Sequence, residues 1–288
     1  MYRSIVVPLD GTAFGEHALP IALDLARRAG ARLHLMHAHE RAHPGVVAHV
    51  HEQSYLNDVA RRLRAVWNGP IEATLIDEPI TAALCDYAAA ARADLIVMST
   101  HARAGLLRLW QGCVADAVVR HTPVPVLLLR PTDQAPALND APAFKRILIP
   151  LDGSALAERI LPHAVALGRL ARAEYVLAQA IEPPPIESVG NPEQGLEGLE
   201  QRAGIYLDGV AARMRAEDLP ARGDIVVAER GLAAALLEYA GEQGFDLIAM
   251  ETHGRHGLSR ALAGSVTEQI MHGARVPLLL HCPATEKA

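Results

Sequence analysis

The chain contains one segment twice. Residues 5–12 read IVVPLDGT and residues 147–154 read ILIPLDGS. Asp10 and Asp152 lie 142 positions apart, as do Pro8 and Pro150, and Pro20 and Pro162. Further along the offset becomes 152: Asp94-Leu95-Ile96 matches Asp246-Leu247-Ile248, Thr100-His101 matches Thr252-His253, Gly105-Leu106 matches Gly257-Leu258, and Val124-Pro125 matches Val276-Pro277. Two ordered copies of one domain fit this pattern, whereas a solenoid would show a much shorter period. The change of offset puts ten extra residues in the second copy, between its second and third strands, in the Pro-, Gly- and Glu-rich stretch IEPPPIESVGNPEQG. A length of 288 residues agrees with two domains. Residues 131–145, PTDQAPALNDAPAFK, read as a linker because Pro, Asp and Asn dominate there. The expected organisation is therefore a first domain over 1–130, a linker over 131–145 and a second domain over 146–283.

Within each copy short apolar runs alternate with helix-length segments. The runs are SIVVPLD, RLHLMHAH, IEATLID, DLIVMST and VPVLLLR in the first copy, then RILIPLD, EYVLAQA, DIVVAE, DLIAMET and VPLLLH in the second. Continuous Val/Ile/Leu runs suit strands buried on both faces of a parallel sheet. Between them, segments such as ALPIALDLARRAG and ITAALCDYAAAARA space their apolar residues near the helical period. The expected fold is α/β: two tandem, five-stranded, doubly wound, Rossmann-like domains, each a parallel sheet with helices on both faces. Such sheets bind ligands beyond the carboxyl ends of their strands, where the strand order reverses.

Composition removes several function classes. The formal net charge is −6 and aromatic residues make up only 4%. A general nucleic-acid binder needs a basic footprint and, for single strands, stacking platforms. The first copy is nearly balanced, with 13 basic and 12 acidic side chains over residues 1–130; the second carries 12 basic and 18 acidic ones over 146–281. Cys85, Cys113 and Cys282 are far apart and form no C-x-x-C pair, which disfavours a disulfide framework or a zinc knuckle and fits a reducing compartment. The opening MYRSIVVPLDG is interrupted at Pro8 and Asp10, so it lacks the apolar core of about 7–15 residues expected of a signal peptide. No uninterrupted apolar stretch reaches the roughly 18 residues of a membrane span. A cytoplasmic protein without a nucleic-acid or membrane partner is expected.

Chemistry should concentrate at the carboxyl ends of the strands. Asp10 and Asp152 end the first strand of each copy, each followed by Gly and a hydroxyl residue. Such a carboxylate either accepts hydrogen bonds from a ribose or turns the chain and caps the next helix. The fourth strand of the second copy runs into Glu251-Thr252-His253-Gly254-Arg255-His256-Gly257, then LSRALA, then Gly264-Ser265-Val266-Thr267-Glu268. Glycines let a backbone approach phosphates, and a helix N-terminus offers free N–H groups and a positive dipole end. Ser265 and Glu268 also form the capping-box pattern S-x-x-E, and that role is compatible with anion binding. Arg255, His256 and Arg260 either face an anion or are solvated.

These residues resemble a tandem universal stress protein, over nearly the whole chain: PLDG[ST] after each first strand, the block THGRHGLSRALAGSVTEQI, and VPLLLH in the last strand. The resemblance implies a fold of the adenine-nucleotide α-hydrolase type. Family members that bind ATP carry G-x2-G-x9-G-[ST] in this block. The matching positions of the second copy are Glu251, Gly254, Gly264 and Ser265, so one departs; in the first copy Ser99, Ala102, Gly112 and Cys113 leave only Gly112 in agreement. The resemblance therefore implies a degenerate first site and a partly intact second site for ATP or a related adenine nucleotide. That second site would comprise Pro150, Leu151, Asp152, Ala180, Gly254, Arg255, Gly257, Gly264, Ser265 and Val266, with Asp152 on the ribose side and Ala180 in backbone contact with adenine. At Glu251 a bulkier side chain and a negative charge replace glycine, and a carboxylate aimed at a triphosphate would oppose binding. The resemblance also implies domain-to-domain pairing of last strands, here Val124–Arg130 with Val276–His281, and is compatible with a homodimer.

Two further readings stand beside nucleotide binding. Six histidines fall between positions 34 and 51 (His34, His37, His39, His43, His49 and His51), and imidazole is a common zinc or nickel ligand, although the spacing matches no recognised ligand pattern. They raise a metal or small-molecule carrier as one alternative, and a nucleotide-free interaction scaffold of the same fold is the other. No G-x-S-x-G elbow, G-x-x-x-x-G-K-[ST] loop, H-E-x-x-H pair or first-strand G-x-G-x-x-G fingerprint is present. No catalytic residue and no resident metal are expected. A stress-response or signalling protein that binds rather than catalyses is the leading expectation, with slow hydrolysis of a bound nucleotide left open.

Overall fold

The computed structural model describes residues 2–38, 46–100, 114–131, 137–139, 141, 143–184, 192–252 and 266–283, with the side chains of 46–49 and 192–193 left aside. The chain forms two compact units, Met1–Pro142 with Leu280–Ala288, and Ala143–Leu279.

In the first domain β1 (Ser4–Leu9) leads through a 3-10 turn (Gly15–Ala18) into α1 (Leu19–Ala29). Then follow β2 (Arg32–Ala38), α2 (Val46–Arg64), β3 (Ile71–Ile76), α3 (Ile80–Ala90), β4 (Leu95–Ser99), α4 (Val114–His121) and β5 (Val126–Leu129). Their sheet order is β3-β2-β1-β4-β5, with every pairing parallel. In the second domain β6 (Arg146–Pro150) leads through a 3-10 turn (Ala157–Ile160) into α5 (Leu161–Ala171). Then follow β7 (Glu174–Ile181), α6 (Pro192–Arg215), β8 (Ala221–Val227), α7 (Leu232–Glu242), β9 (Leu247–Glu251), α8 (Val266–Gly273) and β10 (Leu278–His281). Their order is β8-β7-β6-β9-β10, and β6 pairs in parallel with both β7 and β9. The order reverses at β1/β4 in one domain and at β6/β9 in the other. These are the points at which a doubly wound sheet leaves a crevice beyond its strand ends.

The strands follow from the apolar runs. All five residues of β4 and of β9 are buried, as expected of central strands covered on both faces. Pro20 and Pro162 sit in the first turn of α1 and α5, where a missing N–H leaves no intrahelical bond unmade. Both helices end on a left-handed residue, Gly30 (φ 65°) in α1 and Arg172 (φ 55°) in α5. The inserted residues of the second copy lengthen the crossover helix from 19 residues in α2 to 24 in α6. One strand differs from the sequence expectation: β8 begins at Ala221, three residues ahead of DIVVAE. Arg222 and Gly223 do not look like strand residues. They pair with Val176 and Leu177 all the same, and a β-carbon on Gly223 would stand 2.8 Å from that of Leu207 in α6. Close helix approach requires the glycine there.

Candidate functional site

The two domains build the turn after their first strand differently, and the cause is one methyl group. In the first domain Asp10 accepts from Thr12 N (3.0 Å) and from Thr12 Oγ1 (2.8 Å to Oδ1, 3.0 Å to Oδ2), so both carboxylate oxygens are engaged. Thr12 Oγ1 in turn accepts from Gly15 N at 3.3 Å. A β-carbon on Gly15 would stand 2.2 Å from Asp10 Oδ1, so the carboxylate occupies space that only glycine leaves. The equivalent residue of the second domain is Ala157, whose β-carbon is incompatible with a carboxylate placed as in the first domain. Asp152 there accepts Ser154 N at 2.9 Å through Oδ1, and Ser154 Oγ accepts Ala157 N at 3.1 Å. The Asp152 side chain is exposed, and among the described residues only its Oδ1 is engaged. At Asp152 the Asx turn uses one oxygen and leaves the other to solvent.

The same asymmetry recurs at the end of the second strand. His37 in β2 is 7% exposed; its Nδ1 lies 2.8 Å from Leu9 O and its Nε2 lies 3.7 Å from Glu52 Oε1. The corresponding residue of β7 is Gln179, whose Oε1 is buried and has no hydrogen-bond partner among the described residues. Thr100, just past β4, donates to Leu129 O at 3.2 Å. Its counterpart Thr252, 6% exposed and just past β9, has a buried Oγ1 with no hydrogen-bond partner among the described residues. Leaving a buried polar group unmatched costs about 1–3 kcal/mol. Among the described residues the Tyr55 and Tyr206 hydroxyls are buried without a hydrogen bond in both domains, so the difference between the copies lies at Gln179 and Thr252.

A third set of side chains is common to both domains. Arg62 of α2 donates to Glu16 at 2.8 Å, and Arg213 of α6 donates to Glu158. Tyr55 and Tyr206, on the same helices, have their hydroxyl pKa pushed above the usual 10, by burial first and then by Glu16 and Glu158 respectively. Both phenols stay protonated at neutral pH. Because the set is duplicated, it stabilises the crossover helix over the first turn in each domain and does not distinguish them.

Of the sequence-predicted residues, Pro150 ends β6, Leu151 follows it with its N–H on Ala178 O at 2.8 Å, and Asp152 comes next. Ala180 lies half-buried near the end of β7, beside β6. These four therefore share the carboxyl edge of two adjacent strands. Val266 opens α8 and is half-buried. Gly254, Arg255, Gly257, Gly264 and Ser265 lie outside the described residues, as do His256, Arg260 and the first-domain positions Ala102, Gly112 and Cys113. Glu251 is the last residue of β9 and is 7% exposed, so its carboxylate is within the fold rather than on the surface. Sequence reasoning named Ala180 and passed over Gln179 and Thr252. Laying the copies over one another at offsets of 142 and 152 exposes the first, as His37 becoming Gln179; the second is unchanged in type and only its lost partner marks it.

The histidines separate. His34 and His37 lie three apart in β2 and face different helices: His34 Nδ1 is 3.1 Å from the hydroxyl of Tyr87 in α3, and His37 stacks edge-on against Tyr55 of α2. His39, His43 and the side chain of His49 lie outside the described residues, and among the described ones no group of three or more ligating side chains comes together. Burial lowers the His34 pKa below 6.5, outweighing the Glu72 carboxylate 3.3 Å away. A group whose folded pKa is depressed stabilises the fold above its unfolded pKa and loses that contribution as pH falls through the folded value. The urea midpoint should therefore fall on acidification below about pH 6.5. It should fall less in His34→Asn, which keeps a polar partner for Tyr87; equal slopes for the two proteins would exclude His34 as the cause.

Comparison with known proteins agrees with this architecture. The profile of the universal stress protein family matches residues 1–130 and 143–281. A universal stress protein of Mycobacterium tuberculosis is 29% identical over 190 residues, which is 65% of this chain and 61% of that protein. A universal stress protein of Methanocaldococcus jannaschii is 30% identical over 147 residues, covering 49% of this chain and 84% of the relative. The match thus spans about three-fifths of the mycobacterial relative's own length. Among solved structures, a universal stress protein from Archaeoglobus fulgidus superposes with a TM-score of 0.72 at 16% identity, covering 97% of this chain and 98% of that one. At that identity the likeness concerns the fold.

Proposed function

The chain belongs to the universal stress protein family, and from that premise we propose that its second domain binds ATP or a related adenine nucleotide while the first serves as a closed companion. The observation that carries the reading is the contrast at the strand ends. Asp10, His37 and Thr100 are matched within the first domain. In the second, Gln179 Oε1 and Thr252 Oγ1 are buried without hydrogen-bond partners among the described residues, and Asp152 commits one oxygen to its turn. A ribose hydroxyl pair and a base supply the donors and acceptors such a set lacks. Asp152 would take the ribose side and the backbone at Ala180 the base. Gly254, Gly264 and Ser265, with the N-terminus of α8 opened by Val266, would hold the phosphates, where free N–H groups and the helix dipole favour an anion. The protein acts in this reading as a stress-response binding protein and not as an efficient catalyst.

Calorimetry of the full chain with ATP tests it, and one bound nucleotide per chain is the expected result. Two equal sites would contradict the division of labour between the domains. Absence of binding would favour the second reading, an interaction scaffold of the same fold. One observation speaks for that alternative: Glu251 stands buried at the position where the ATP-binding pattern G-x2-G-x9-G-[ST] has its first glycine. Mass spectrometry of small molecules released from gently purified protein separates the two readings independently.

A further inference from the structure

We infer that an ion pair of reversed polarity keeps the two domains from exchanging their end strands. In the first domain Arg32 of β2 donates to Glu72 of β3 at 2.7 Å. In the second, Arg222 of β8 donates to Glu174 of β7 at 3.3 Å. The four residues occupy equivalent places. Leu33 pairs with Ile71, and Tyr175 with Ala221; each ion pair joins the residue before the first partner to the residue after the second. The geometry is thus shared by the copies and the signs are inverted. All four side chains are between 42% and 52% accessible. Ion pairs so exposed add little to native stability, and they add as much in one polarity as in the other. What the inversion changes is how the strands of one copy meet those of the other.

β3 and β8 end the strand orders of their domains, and each pairs with a single strand among the described residues. Ile71, Ala73 and Leu75 share one face of β3, and Ala221, Gly223 and Ile225 share the equivalent face of β8. Burial of such faces is non-directional and discriminates weakly between the copies. Misassembly between domains and strand exchange between chains are characteristic failures of repeated domains. With β8 beside β2, Arg222 would meet Arg32; with β3 beside β7, Glu72 would meet Glu174. His34 of β2, 3.3 Å from Glu72, would face a cation instead. Asp224, 2.7 Å from Arg222, is on β8 itself and travels with it. Arg146, 3.7 Å from Glu174, is on β6 and stays beside β7. These two neighbours act alike in the native and the exchanged arrangements, so the difference between them is an attraction turned into a repulsion. Like charges across neighbouring strands are destabilising.

The experiment is refolding of the full chain by dilution from urea at low salt, with size-exclusion chromatography separating recovered monomer from the larger species that exchange between chains produces. Three proteins are compared: the unmodified chain, the double variant Arg32→Gln, Glu72→Gln, and the double variant Arg32→Glu, Glu72→Arg. The reversed variant keeps an ion pair inside the first domain but gives both domains one polarity. The glutamine variant has no ion pair there, so charge neither favours nor opposes exchange. The ratio of larger species to monomer should rise about fivefold in the reversed variant, with the glutamine variant in between. In about 1 M salt, where charges are screened beyond about 3 Å, the three ratios should converge. If the pair only stabilised the native fold, the glutamine variant would refold worst and the reversed variant as well as the unmodified chain. That order, equal ratios at low salt, or a difference that persists at high salt would overturn the inference. Circular dichroism of the recovered monomers establishes that the variants fold. Should the reversed variant fail to refold at either salt, the glutamine variant decides, and a ratio no higher than that of the unmodified chain overturns the inference.

Discussion

Replacing Gly168 by alanine should destabilise the second domain by about 2 kcal/mol, although alanine is the better helix former by about 1 kcal/mol. Gly168 lies in α5 and faces Tyr175 of β7. A β-carbon on it would stand 2.3 Å from the Tyr175 hydroxyl oxygen and 2.7 Å from two ring carbons. Tyr175 has nowhere to go, being 1% exposed with its hydroxyl donating to Val165 O at 3.4 Å, and burial raises its pKa to about 12. Overpacking a filled core costs typically about 1–3 kcal/mol, and three contacts below 3.0 Å against a ring without freedom belong to the upper part of that range. The first domain shows the alternative solution, since Ala26 and Leu33 occupy the same two positions and both are buried. The clash is between a pair of residues, so it should be relieved as a pair. Tyr175→Leu alone leaves a cavity and costs about 2–4 kcal/mol. The double variant Gly168→Ala, Tyr175→Leu should be more stable than the sum of the single losses by more than about 1 kcal/mol, the signature of coupled neighbours. Urea unfolding followed by circular dichroism measures all three. Additive losses would show that the two side chains do not share the space assigned to them.

The strands were legible because central parallel strands are buried on both faces and so read as unbroken Val/Ile/Leu runs, as in LIVMS of β4 and LIAME of β9. The start of β8 was not legible, because Arg222 and Gly223 owe their place in the sheet to pairing with β7 and to the approach of Leu207, neither of which is local. At the site, Asp152 and Ala180 could be read from the repeat and the family pattern. The structural difference between the copies' strand ends could not be read from the glycine pattern alone, because part of it lies in which polar atoms are hydrogen-bonded. Gly15 against Ala157 decides where a carboxylate rests, and His37 against Gln179 decides whether a strand end is closed. Both substitutions are visible in the sequence once the copies are aligned, but their meaning depends on distances.

Asp94 and Asp246 illustrate the opposite case, a residue pair that the repeat picks out and whose work is structural. Each carboxylate stands just ahead of the fourth strand of its domain and bonds backbone amides at the start of the first. Asp94 Oδ2 accepts Arg3 N at 2.6 Å and Ser4 N at 3.0 Å; Asp246 Oδ2 accepts Lys145 N at 2.8 Å and Arg146 N at 2.9 Å. The return bond runs from Asp246 N to Arg146 O at 2.9 Å, so the two strands are closed into a ring at the edge where their ladder begins. Around it, the Arg146 guanidinium lies 5.0 Å over the Phe245 ring and 3.7 Å from Glu174. Hydrogen bonds to a charged group contribute roughly 1.5–3 kcal/mol each when buried. Here one amide is exposed and can turn to water while the other is half-buried, so Asp246→Ala should cost about 2 kcal/mol in total. With urea slopes of about 1–3 kcal/mol per molar, the unfolding midpoint should drop by roughly 1 M. Asp246→Asn keeps a carbonyl oxygen of the same reach without the charge and should recover about half of the loss. Asp94→Ala should behave alike in the first domain. If alanine and asparagine prove equally costly, the charge rather than the acceptor geometry joins β6 to β9; if neither costs anything, the strands are held by their apolar faces alone.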